Sequence, residues 1–190
     1  MANVSAPYGL RPLLHGAGGI IRYNQYGNWS ILNTYNTAIY FGDVVSTNST
    51  NKWQLEKGVP STADFVGVFA GVKWTASNGE PKFSRYWPGS AGAGAPQADV
   101  QALVYDDPRI LFAIQSDVDS FAQTNFGKKG DVTASTTGST LTGLSNMTLD
   151  TSTIGSDSNL WVIDYIRAPD NAIGDSYVNC VVRIHEHRFV

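Results

Sequence analysis

Residues 98–117, ADVQALVYDDPRILFAIQSD, constrain the fold of this chain more than any other stretch. Two apolar, β-prone runs, 100–105 and 109–115, flank Asp106-Asp107-Pro108. In the second run Ile110, Phe112 and Ile114 share one face at period two, with Leu111 and Ala113 opposite. Pro108 fixes its own φ and pushes Asp107 out of the helical region, while aspartate side chains satisfy turn amides. Two such runs on a short polar link predict a hairpin. Both faces of its second strand are largely apolar, so the hairpin is expected in the middle of a core.

Strand signals continue in both directions. Residues 38–41 run into Gly42-Asp43 and then 44–47, and 53–56 with Val59 can pair back across the polar loop 48–52. Residues 64–74, DFVGVFAGVKW, predict a long strand whose two glycines mark bends or bulges. Asn78-Gly79 supplies the positive φ of a hairpin turn, and 82–87 returns from it. The small, uncharged 90–97 is a loop. Residues 160–167 and 177–190 are the last strands, with Val178, Cys180, Val182 and Ile184 on one face of the second. The charge-free 132–149 fits either a surface loop or Thr-type edge strands. The one helix candidate is 116–126, capped by Ser116 or Asp117, with Val118, Phe121 and Ala122 on one face and Gly127 as its stop. Short strands with turns at this spacing predict an all-β barrel or sandwich with at most one short helix.

Residues 1–30 differ from the body, 31–190. Glycine and proline punctuate them and apolar residues stand singly, so neither period persists, yet they are too apolar for a solvated tail. They predict an extended arm that lies on a neighbour or on its own domain. Removing 2–24 is then expected to leave the body folded. The rest of the composition points the same way. With 13 basic and 16 acidic residues and only 15% charged, the chain has no Lys/Arg stripe for nucleic acid. Five Trp, nine Tyr and eight Phe suit extended contact with protein surfaces. The opening MANVSAPYGLRP has neither a basic region nor an apolar core of signal-peptide length, and no run approaches a membrane span. A soluble protein made in a cytoplasm is expected, in which Asn-x-Ser/Thr triplets at Asn3, Asn28, Asn48 and Asn146 are chance matches.

No residue pattern encodes a reaction. His185 and His187 stand at i, i+2 on one strand face, a spacing that can chelate, but a third ligand is lacking because His15 lies in the arm. Glu186 has no accompanying nucleophile motif. Asp106, Asp107, Asp117 and Asp119 bracket the central hairpin; paired carboxylates can hydrolyse glycosides, but turn and cap duty explains all four more simply. Gly16-Ala17-Gly18-Gly19 lacks the strand, helix and lysine of a phosphate loop. Cys180 is the sole cysteine, so no internal disulfide forms, and it reads as a small core residue. Trp29, Trp53, Trp74, Trp87 and Trp161 are spread over different strands, which weakens a sugar-stacking platform. The chain is expected to be non-enzymatic, without metal or cofactor.

The order of its motifs resembles the head-decoration, or cement, proteins and related virion structural proteins of tailed bacteriophages. The likeness lies in Ala6-Pro7-Tyr8-Gly9-Leu10-Arg11-Pro12, Phe41-Gly42-Asp43-Val44-Val45 and Val66-Gly67-Val68-Phe69-Ala70-Gly71. It continues through Phe83-Ser84-Arg85-Tyr86-Trp87-Pro88, Ala102-Leu103-Val104-Tyr105-Asp106-Asp107-Pro108 and Leu149-Asp150-Thr151-Ser152-Thr153-Ile154-Gly155, closing at Val182-Arg183-Ile184-His185-Glu186-His187. It implies a β-barrel or β-tulip body that clusters as trimers, or as dimers, on the outside of an icosahedral head and binds the major capsid protein. Pro7, Tyr8, Leu10, Arg11, Pro12, Leu13 and Leu14 would then be the arm's anchors on the shell or a sister subunit. A tail-tube, fibre or minor head protein and a carbohydrate-binding β-sandwich are the alternatives.

Overall fold

The structure, a computed structural model, describes residues 3–60, 64–96, 98–117, 119–134, 137–156 and 158–190. Within them the strands are β1 (Arg11–His15), β2 (Ser30–Ile31), β3 (Val44–Thr47), β4 (Leu55–Lys57), β5 (Phe65–Thr75), β6 (Pro81–Ser84), β7 (Val100–Tyr105), β8 (Ile110–Gln115), β9 (Lys129–Val132), β10 (Leu149–Asp150), β11 (Leu160–Tyr165) and β12 (Asn179–Ile184). The fold is all-β, in two antiparallel sheets. The first has the order β1-β8-β12-β11-β9-β10; the second runs β2-β7-β5-β3-β4, with β6 also paired to β5. Neither order closes on itself, so the described strands form two open sheets, with β1 and β10 as the outer strands of the first.

The long strand β5 shows how sequence sets the layers. Phe65 and Val68 lie in one apolar cluster, whereas Val66, Phe69 and Val72 lie in another. Neighbours three apart share a face only if the strand gains a residue between them. The register does slip, at Val66 against β3 and at Ala70 against β7. Gly67 and Gly71 stand beside these slips, and a Cβ on Gly67 would lie 2.1 Å from the Tyr105 carbonyl oxygen. The two bulges reset the alternation and let β5 bury both faces. One cluster, with Phe112, Ile114, Val162, Cys180 and Val182, joins the two sheets. The other covers the second sheet with Trp29, Ile31, Ile39, Leu55 and Trp87.

Several expectations hold. Val178, Cys180, Val182 and Ile184 are all buried, and Asn78-Gly79 turns β5 into β6 with Gly79 at φ +85°. Residues 132–149 begin and end in the short pair β9/β10. Others need correction. The runs flanking Asp106-Asp107-Pro108 are strands but not a hairpin: β7 belongs to the second sheet and β8 to the first. The link is a crossover between layers, because both aspartates turn their side chains to the N-terminal segment. The helix expected over 116–126 is absent, apart from a single 3₁₀ turn at Gln123–Asn125. Its amides are taken by distant partners instead, Ser116 N–H by Val178 O (2.8 Å), Asp117 N–H by Leu149 O (3.0 Å) and Phe121 N–H by Asp175 O (3.0 Å). Val118 lies outside the described residues.

Residues 3–29 hold one short strand, β1, between turns, bends and irregular stretches, and they lie on the chain's own body. β1 pairs with β8, and Leu10 is fully buried in the inter-sheet core, its N–H bonded to Gly42 O at 2.9 Å. Removing 2–24 would therefore strip an outer strand and open a core cavity, rather than leave an intact body.

Candidate functional site

The N-terminal segment is held by side chains that read its backbone. Gln115 Oε1 accepts the Ala6 N–H (2.8 Å), and its Nε2 donates to Val4 O (3.2 Å). Tyr8 donates its hydroxyl to Asn179 Oδ1 at 2.8 Å. Burial pushes the pKa of that phenol up to about 12, opposed by Arg11, whose guanidinium carbon lies 4.4 Å from the ring centroid. Beside Pro7, Tyr8, Arg11 and Asn179 opens a shallow cavity of about 660 Å³.

Asp106 is the central fixture. Its carboxylate is buried and accepts four N–H groups: Gln25 (2.7 Å), Tyr26 (2.9 Å), Gly27 (3.2 Å) and the indole of Trp29 (2.9 Å). Asp107 holds the other end. His15 Nδ1 accepts the amides of Ala17 (3.2 Å) and Gly19 (3.0 Å), which places the ring proton on Nε2, 3.0 Å from Asp107 Oδ2. Asp107 Oδ1 also accepts the Arg109 N–H at 2.8 Å. Charge-assisted acceptors of this kind are the strong ones, and together they fix the segment's register on β8.

The seven expected anchors separate accordingly. Leu10 is core, and Pro7, Tyr8 and Pro12 are half-buried against the body. Arg11, Leu13 (43% exposed) and Leu14 (51%) face outward from β1, whose second edge has no strand partner among the described residues. The register slips between Pro12 and Leu14, so Leu13 is the extra residue of a bulge.

The histidines do not form a chelating pair. β12 ends at Ile184, and beyond it the alternation lapses. His185 packs edge-on against Trp161 (5.6 Å), whereas His187 is buried beside Phe189 and accepts its N–H at 3.2 Å. Burial lowers the His187 pKa to about 4, against the pull of Asp106 and Asp107. Among the described residues no group of three His, Cys, Asp or Glu side chains could hold a metal ion. Asp117 accepts the Thr151 hydroxyl, Asp119 is exposed, and burial alone pushes the Cys180 thiol up. The tryptophans divide: Trp29 meets Trp53 at 5.6 Å, Trp74 meets Trp87 at 5.8 Å, and Trp161 packs with His185. Sequence reasoning missed a buried ion pair, Lys57 Nζ to Asp43 Oδ2 at 2.8 Å, with Tyr40 N–H and the Ser145 hydroxyl on the same carboxylate. Burial raises the Asp43 pKa while Lys57 and Ser145 oppose it. No signal short of the fold would have joined residues so far apart.

No family model matches the chain, and no curated protein or solved structure is significantly similar to it.

Proposed function

We propose that this chain is a non-enzymatic virion structural protein, a decoration subunit that binds the outside of an icosahedral phage head and stabilises the shell. The observation that carries this reading is the outer edge of β1. Among the described residues this edge has no strand partner beside exposed Leu13 and Leu14, and its strand is already held by pairing with β8 and by the His15–Asp107 bond. Exposed edges accept strands from other chains. A pre-ordered edge loses less conformational freedom on binding than a free arm does, so more of its contact energy appears as affinity. The order of motifs along the chain, which resembles the cement proteins of tailed phages, supplies the partner: the major capsid protein, with sister subunits meeting as a trimer.

Each contact need only be modest. Burying one leucine contributes roughly 1.5–3 kcal/mol, and a closed shell repeats the contact many times, so that opening a capsomer breaks several at once. The test is co-sedimentation of purified protein with undecorated expanded heads. Leu13→Asp with Leu14→Asp changes only outward-facing positions and should leave the monomer folded while weakening shell binding by at least tenfold, about 1.4 kcal/mol. Binding of the double variant at wild-type affinity would overturn the role of this edge.

A further inference from the structure

A second cavity, of about 430 Å³, lies where the tip of the N-terminal segment, the Pro108–Arg109 end of the crossover and the residues after β12 converge. Its wall carries Arg109, Arg183 and His185 with Tyr26, Trp161, Phe189 and the final residue, Val190, and no Asp or Glu side chain lines it. Neither guanidinium has a hydrogen-bond or ion-pair partner among the described residues; Arg183 lies over the Trp161 ring at 5.1 Å, and Tyr26 stacks on Phe189 at 5.1 Å. An arginine resting on an aromatic face keeps its in-plane N–H fork free for a planar oxyanion. The aromatic rings at the rim offer flat C–H-binding surface, and the volume lies within the usual range for small-ligand sites, roughly 300–1,000 Å³.

From this arrangement we propose a ligand site for a carboxylated sugar, a uronate-type residue whose carboxylate meets Arg109 and Arg183 while its pyranose face rests on the aromatic rim. The topology disfavours a peptide. Among the described strands β11 and β12 are both interior to their sheet, so neither offers the cavity a free edge for strand addition. The site does not depend on the assembly reading, and none of its lining residues belongs to β1.

The experiment is a titration of the full chain, followed by tryptophan fluorescence and calorimetry, with three probes: a glucuronate-containing disaccharide, its neutral glucose counterpart and inorganic phosphate. The uronate should bind saturably, and the neutral sugar and phosphate about tenfold more weakly or not at all. Arg109→Gln, at an exposed position, should weaken uronate binding about tenfold, and Arg183→Gln at least as much, while Arg167→Gln, at an exposed position outside the cavity, leaves it unchanged. Equal affinity for the neutral sugar, phosphate binding as tight as the uronate's, unaltered binding by Arg109→Gln, or no saturable uronate binding would each overturn the proposal.

Discussion

Asp106 Oδ2 accepts the indole N–H of Trp29 at 2.9 Å across 77 residues of chain, and both groups are buried. The same carboxylate takes three successive backbone amides, so one side chain fixes the whole tip 25–29 against the crossover between the sheets. Asp106→Ala would leave four donors without an acceptor, at a cost of about 3 kcal/mol or more. The expected result is a lower urea midpoint together with fast hydrogen exchange at amides 25–27, while β12 keeps its protection. Unchanged exchange at those amides would show that the tip is held by something else.

Lys57 and Asp43 form a buried pair, and such pairs are far costlier to break than to replace. Lys57→Met alone should destabilise the fold by about 3–5 kcal/mol, because it strands a buried carboxylate. Adding Asp43→Asn should recover part of that loss. A double-mutant cycle in urea measures the coupling, and strictly additive losses would contradict it.

Gly67 and Gly79 separate two reasons for glycine. Gly79, at φ +85°, has open space around its Cβ position, so Gly79→Ala should cost about 1 kcal/mol of backbone strain. At Gly67 the new methyl would collide with the Tyr105 backbone, so Gly67→Ala should cost more, about 2–3 kcal/mol, by disrupting the bulge that resets β5. Thermal melts of the two variants decide the order.

His187 gives the stability a pH dependence of known sign. Its folded pKa of about 4 lies below the ordinary 6.5, so between these values the unfolded chain binds a proton that the folded one refuses. Stability is therefore full above pH 6.5 and falls as pH drops toward 4, by up to about 3 kcal/mol from this group. His187→Gln removes that part of the slope and leaves the carboxylates' share. Parallel profiles for variant and wild type from pH 7 to pH 4.5 would contradict the assignment.

Much of the body was legible in the residues. The alternation through Val178, Cys180, Val182 and Ile184 placed β12, and Asn78-Gly79 placed the β5–β6 turn, because in each case local chemistry decides the local structure. The two glycines of β5 likewise announced its bulges. The crossover at Asp106-Asp107 was not legible as such. A two-strand pattern with a turn between is the same whether the strands pair or part, and what parts them here is capture of both carboxylates by Trp29 and His15. The helix expected at 116–126 failed for a similar reason, its amides being claimed by Val178, Leu149 and Asp175. Of the expected anchors, periodicity could not separate buried Leu10 from exposed Leu13 and Leu14, since a bulge intervenes between Pro12 and Leu14. The arginine-lined cavity draws on four distant segments and leaves no linear signature.

The central proposal is that this protein covers a phage head, and its stoichiometry tests that most directly. Quantitative mass spectrometry of purified virions gives the copy number of this chain relative to the major capsid protein. A ratio near one to one is the expected result for a shell-covering decoration subunit. A few copies to a few dozen per particle would instead assign it to the tail or a vertex, and its absence from the virion would contradict the account outright.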